Sequence, residues 1–252
     1  MSARQRVRML LALALLLAAA GTTTRADDAP APPEAPPPAA RPEIPPELRD
    51  VLNHLDEASA GVTDVRAAVT YTRLIPLLED KRRSRGDLVF KKPDKLVLDL
   101  KRPHNEEVRT DGHTWWVVSH NERQVQVYET TEEGRDGREA AFLAFGYGRS
   151  SEQILEDYDI ELLEVRRPAE GKTGETVYRL RFTPLERPDQ PARYASIEAE
   201  IADGLWLPRR IVLHEPGGEI VHTYDLSKIR LNTDVPDRTF EYRPPASYNV
   251  VH

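Results

Sequence analysis

Apolar and polar residues alternate with period two along most of the chain after Gly61. The stretch RGDLVFKKPDKLVLDL, residues 85–100, shows the pattern. Leu88 and Phe90 share one face of a short strand, and Leu96, Leu98 and Leu100 share one face of the next. Asp87, Lys91, Lys95 and Asp99 fall on the opposite faces. The pattern predicts strands over Val65–Leu78, Asp87–Lys91, Lys95–Lys101 and Gln124–Thr130. Further strands are predicted over Tyr158–Arg166, Glu175–Pro184, Ala192–Ile201, Leu205–His214 and Glu219–Leu226. EEVRTDGHTWWVVS reads as strand, Asp-Gly turn, strand. ADG at 202–204 and PGG at 216–218 mark two more hairpin turns. Strands joined by turns this short are antiparallel. Trp115 and Trp116, at adjacent strand positions, point to opposite faces, one into the core and one to the rim.

Two segments break the alternation. In PELRDVLNHLDEAS, Leu48, Val51, Leu52 and Leu55 recur at helical spacing, which predicts an amphipathic helix over about Pro46–Ser59. Gly137–Tyr158 loses the period, and Ser150 with Gln153 forms a capping box for a short helix through Asp157. The expected class is α+β: a large antiparallel sheet, apolar on one face, with helices segregated to that face. LEDYDIELLE reads as a solvated acidic face.

The N-terminus reads as an export signal over residues 1–26. Arg4, Arg6 and Arg8 precede an apolar run from Met9 to Ala20, with a small-residue cleavage point near Ala26. Residues 27–46 read as a proline-rich linker, nine of the eighteen residues from Ala29 to Pro46 being proline. Extended, that tract reaches about 55 Å. Residues 47–252 are then one domain.

The formal charge is −7, and cleavage after Ala26 leaves 31 basic against 42 acidic residues, or −11. Such a balance repels phosphate backbones, so nucleic acid is not an expected partner. There is no cysteine, which excludes disulfides, thiol chemistry and N-terminal lipid modification. The seven histidines do not pair at metal-ligand spacing, and no nucleophile elbow, P-loop or dinucleotide fingerprint occurs. No enzyme, cofactor or metal is expected.

The hairpin makes a series of motifs visible. GDLVFKKPDKLVLDLKRP followed by VRTDGHTWWVVSHNERQVQVYE resembles the periplasmic outer-membrane lipoprotein carrier family (LolA-like). Gly86, Leu88, Phe90, Lys91, Pro93 and Leu96 fit its first motif. Thr110, Asp111, Gly112 and Trp115, with Trp116 beside it, fit the second. VPDRTFEYRPPASYNVV resembles the family's terminal motif through Asp237, Phe240, Tyr242, Pro244 and Pro245. The resemblance runs over residues 47–251.

It implies a strongly bent antiparallel sheet, an incomplete β-barrel, with helices lidding an apolar cavity. It implies a soluble periplasmic monomer that holds the acyl chains of lipoproteins, receives them from an inner-membrane release complex and passes them to an outer-membrane acceptor. Cavity candidates are then Leu88, Phe90, Leu96, Leu98, Leu100, Trp115, Phe142 and Phe145. Each is also readable as ordinary packing beneath a helix, and taken one residue at a time that is the first reading. Lys92 stands where the family has an arginine that latches the lid through its backbone, and lysine lacks arginine's planar fork. Two alternatives stay open: a carrier of another lipid or glycolipid, and an envelope domain that senses lipoproteins.

Overall fold

The computed structural model describes residues 44–129, 149–187 and 192–252. The described chain opens with helix α1 (Pro46–Ala60). Six strands follow: β1 (Asp64–Ile75), β2 (Asp80–Lys91), β3 (Lys95–Leu100), β4 (Glu106–Thr110), β5 (Thr114–Ser119) and β6 (Gln124–Glu129). A short helix α2 (Ser151–Leu155) precedes β7 (Tyr158–Arg166), β8 (Val177–Pro184), β9 (Ser196–Ala202), β10 (Leu207–His214), β11 (Val221–Leu231) and β12 (Asn249–Val251). All twelve strands form one sheet in the order β12-β6-β5-β4-β3-β2-β1-β11-β10-β9-β8-β7. Every pairing among them is antiparallel except β12 on β6, which is parallel.

β1 starts at Asp64 and ends at Ile75, short of Leu78, because Pro76 opens a single 3-10 turn. β2 starts at Asp80, seven residues earlier than expected. Its first six residues carry one buried side chain, Ser84, and no apolar alternation, yet they pair fully with β1 from Ile75↔Asp80 to Thr70↔Arg85. β12 has no counterpart in the sequence pattern; its three residues are all exposed. The capping box forms as expected. Ser150 Oγ accepts from the Gln153 amide, and the Gln153 side chain accepts from the Ser150 amide.

Register sorts the side chains. Val65, Phe90, Leu96, Thr110 and Trp115 stand opposite one another in turn, as do Ala67, Leu88, Leu98 and Val108. These rows face one large buried cluster, to which β7–β11 add Ile160, Leu180, Phe182, Ile197, Ile211 and Leu213 among others. Leu48, Val51, Leu52 and Leu55 of α1 belong to the same cluster. Each such side chain contributes about 1.5–3 kcal/mol when removed from water.

LEDYDIELLE is therefore not all solvated. Leu155, Tyr158, Ile160 and Leu162 pack on the cluster while the acids alternate outward.

The opposite face of β2–β6 carries a smaller core made by the chain's last segment. Phe240 and Val235 are fully buried against Val97 and Val89. Lys91 and Lys95, directly opposite in register, would repel. Asp237 lies between them, 2.8 and 3.1 Å from their ammonium groups, and Lys91 also donates to the Val235 carbonyl. The bonds from those two lysines hold the Asp237 carboxyl below its usual pKa. Arg109 is ion-paired with Glu107, donates to the carbonyls of Thr239 and Glu241, and lies over the Tyr242 ring. Trp116 is half-buried against Tyr242 and is not a bare rim residue.

The segment leaves the sheet through Asp64. Its Oδ1 accepts from the Thr233 amide and hydroxyl at 2.8 and 2.7 Å, and Oδ2 from the Asp234 amide at 3.1 Å. Asn232 completes the corner by accepting from Thr63 and donating to the Gly61 carbonyl.

Two outcomes test this account. A Cβ at Gly86 would lie 2.0 Å from the Asp99 carbonyl oxygen, so glycine is what lets β3 close on β2. Gly86→Ala should lose about 1–3 kcal/mol in urea unfolding at unchanged m. The second concerns Asp64. Burial raises the carboxyl's pKa, but the Thr233 bonds and the Val235 and Asp234 amides outweigh it and leave the pKa below the ordinary 3.8. A depressed folded pKa stabilises above the unfolded value and is lost as pH falls through the folded one. The stability gap between the native chain and Asp64→Asn should therefore be full at neutral pH and close progressively below pH 3.8.

Candidate functional site

The apolar face of β2 and β3 is built by strand pleat and register. Phe90↔Leu96, Leu88↔Leu98 and Gly86↔Leu100 are direct neighbours, so all five apolar candidates face one side. Leu88, Phe90, Leu96, Leu98 and Leu100 are between 0 and 5% exposed. Trp115 is half-buried and packs on the same cluster. Phe142 and Phe145 lie outside the described residues. Thr110 interrupts the row as a fully buried polar residue, and its hydroxyl accepts from the Gly112 amide. With the Asp111 carboxylate accepting from His113 and Thr114, this closes the β4–β5 hairpin that aims Trp115. Gly112 has φ +98° and lies where a side chain would strike the Asp94 carboxylate. The Thr-Asp-Gly motif is thus hairpin chemistry.

Helix α1 is fastened over this cluster by a few polar contacts as well as by its leucines. The helix has no basic residue in its last turn. Lys92 supplies the cation from outside, its Nζ donating to the Ser59 carbonyl at 2.6 Å. In the middle, His54 stacks on Trp206 at 4.4 Å, and Trp206 stacks in turn on Tyr178 of β8. Asp56 accepts from the Ser151 amide at 2.8 Å, placing a carboxylate at the start of α2.

Trp206, His54 and Asp56 carry no period or motif that marks them. Trp206 is in the tight turn between β9 and β10 at φ 52°, a conformation that a sequence pattern does not announce.

The cluster ends in a polar network. Tyr71 Oη and His222 Nδ1 are 2.7 Å apart, and His222 Nε2 is 3.0 Å from the Glu215 carboxylate. Ser84 Oγ lies 2.7 Å from His104 Nδ1, and the His104 ring meets Tyr71 edge-on. Burial, and then the charges of Arg73, Arg82 and His222, push the His104 pKa down and favour its neutral ring. Among the described residues no group of three or more His, Asp or Glu side chains converges as metal ligands would.

The bond from Lys92 has a local consequence. Lys92→Met should speed amide exchange in the last two turns of α1 about tenfold, whereas Lys92→Arg should largely restore protection. Hydrogen-exchange mass spectrometry of residues 51–60 reads both.

No family model matches the chain. An outer-membrane lipoprotein carrier protein of Legionella pneumophila strain Paris is 22% identical over 204 residues, 81% of this chain and 87% of that protein. An outer-membrane lipoprotein carrier protein from strain Corby is 24% identical over 169 residues, 67% of this chain and 74% of that protein. Among solved structures, a LolA superfamily protein from Nitrosomonas europaea is 16% identical, covering 77% of this chain and 97% of that chain at a TM-score of 0.41. An uncharacterized conserved protein from Thermus thermophilus is 12% identical over 81% of this chain and 98% of that chain, with a TM-score of 0.49. Over 81% of its length the chain is similar to an outer-membrane lipoprotein carrier protein.

Proposed function

We propose that this chain is a periplasmic carrier that holds the acyl chains of lipoproteins on its apolar sheet face and delivers them from the inner to the outer membrane. The observation that carries the reading is the mismatch, among the described residues, between the apolar face and its helical cover. Twelve strands laid flat would span roughly 53 Å at ~4.8 Å per strand. Helix α1 is about 22 Å long and 10–12 Å across. Cluster residues are nonetheless buried on β1–β3 and β7–β11. The cover is completed by bending the sheet around its own apolar face into an incomplete barrel, with α1 and α2 as the lid. The relatives named as lipoprotein carriers support the same reading.

Loading is then an exchange of like for like. Acyl methylenes gain about 0.8 kcal/mol each on leaving water. They replace the α1 leucines against Leu88, Phe90, Leu96, Leu98 and Leu100, with Trp115 at the edge. Lifting α1, the moving part of the lid, breaks the Lys92–Ser59 bond, the stack of the exposed His54 on Trp206 and the bonds of Asp56 to Ser151, and water can take up the freed hydrogen-bonding groups. Lys92 acts as the latch. No covalent chemistry is needed, and the partners are an inner-membrane complex that releases cargo and an outer-membrane acceptor that holds it more tightly.

Native mass spectrometry of the protein purified from its own envelope fraction tests this. The expected adduct is a polypeptide with an acylated N-terminal cysteine, reduced about tenfold or more in Leu98→Glu. A glutamate at so buried a position also lowers stability, so Trp115→Ala, at a half-buried position, is measured beside it with circular dichroism as the folding control. Free lipid as the sole adduct would replace the lipoprotein reading with a lipid carrier. A folded protein that carries nothing would overturn both.

A further inference from the structure

The β1–β2 hairpin carries a feature that neither the buried cluster nor the C-terminal segment uses. Its strands stay paired to the last residue, Ile75↔Asp80, and only Pro76–Glu79 form the tip. Pro76 opens the 3-10 turn, and Glu79 closes it at φ 51° with its amide donating to the Pro76 carbonyl. This stiff turn holds Leu77 and Leu78 in water, at 91% and 69% exposed. The other exposed large apolar side chains among the described residues are near 40%. Gly86 is the last β2 residue with a β3 partner, so residues 80–85 of β2 run past the end of β3 by about 20 Å.

Behind the leucines stands a row of cations. Lys81, Arg83 and Arg85 alternate along one face of β2 and are all exposed. Arg82 pairs with Asp80 on the same strand, and Arg73 lies opposite Arg82 on β1. With Glu79 and Asp80 counted, residues 73–85 hold five basic and two acidic side chains, within a chain whose net charge is −7. The excess is local and runs against the average.

We propose that this tip docks the protein onto an anionic lipid surface, Leu77 and Leu78 entering the acyl boundary while Lys81, Arg83 and Arg85 meet the phosphates. Two apolar side chains on a convex tip are too few for a protein interface of standard size. They suit a fluid surface that closes around them, and the cationic row complements anionic headgroups. The surface is separate from the proposed cargo face and stands or falls without it.

The test uses the full chain with vesicles of phosphatidylcholine alone and of phosphatidylcholine containing phosphatidylglycerol. Binding by flotation should require the anionic lipid and be weaker at about 1 M salt than at about 0.1 M, where the screening length is roughly 10 Å. Each of Lys81→Glu, Arg83→Glu and Arg85→Glu should lower the partition coefficient by roughly fivefold or more. Leu77→Asp with Leu78→Asp should do likewise while leaving circular dichroism unchanged. Because the chain has no cysteine, Leu77→Cys can carry a single environment-sensitive fluorophore, which should shift to the blue on anionic vesicles. A dye that stays in water while the chain floats would assign binding to another segment and overturn the proposal. So would equal binding to both vesicle types, or capture of a soluble acidic polypeptide with no vesicle binding.

Discussion

Removal of one broad apolar sheet face from water is the constraint on which the rest of the structure depends. The face is made by period-two alternation on β1–β3 and β7–β11, and register keeps it continuous. A slip of one residue on any strand would turn its apolar set to the solvent. The devices at the strand ends therefore matter as much as the side chains between them. The Thr110–Gly112 turn fixes β4 against β5, and Gly86 lets β3 close on β2. The Asp64 carboxylate fixes the corner where β1 begins and β11 ends.

The two faces of β2–β6 are covered by different means. On one side lies the large cluster shared with α1. On the other, the final segment is held by Phe240 and Val235 in a buried core and by charged groups, of which Lys91, Asp237 and Arg109 each satisfy more than one partner. Lys91 and Lys95 share Asp237, and Arg109 bridges Glu107 and two backbone carbonyls. Removing one member of such a set leaves the others unpaired, and within the half-buried Glu107–Arg109 set that cost exceeds the value of the bond itself. The terminal motif is thus read physically as a strap across the back of the sheet.

Much of this was legible in the chain, for identifiable reasons. Leu48, Val51, Leu52 and Leu55 announce α1 because a helix needs only one apolar stripe. Leu88, Phe90, Leu96, Leu98 and Leu100 are recognisable as one face because adjacent antiparallel strands inherit their register from the break between them. What stayed hidden lacks a period. Residues 81–85 are strand through pairing with β1, with no apolar alternation of their own. Val235 and Phe240 form a second core from a segment without regular structure. β12 is three exposed residues recruited by a neighbour. Trp206 matters through ring stacking across elements, which spacing along the chain does not encode. The significance of Lys92 came from family resemblance; what the structure adds is a donor 2.6 Å from the last-turn carbonyl of α1.

The fastenings of α1 and of the strap differ in kind, and the difference bears on what the molecule can do. The strap rests on a fully buried phenylalanine and on the largely buried Arg109–Glu107 pair, whose arginine also bonds two backbone carbonyls. Water does not replace these cheaply. The polar fastenings of α1 include a lysine bond to a carbonyl, an exposed histidine stacked on a tryptophan, an exposed Glu47–Arg167 ion pair, and the Asp56 carboxylate accepting from the Ser151 amide and hydroxyl. Water competes for the hydrogen bonds and the exposed ion pair among these at a cost near that of an ordinary hydrogen bond. Only the leucines then hold the helix strongly, and an acyl chain offers the face the same dispersion and dehydration that they do. A cover whose main attraction is matched by its cargo is displaced when cargo arrives and returns when cargo leaves. On the proposed function, that makes α1 the element that moves and the strap the one that keeps the sheet in register while it does.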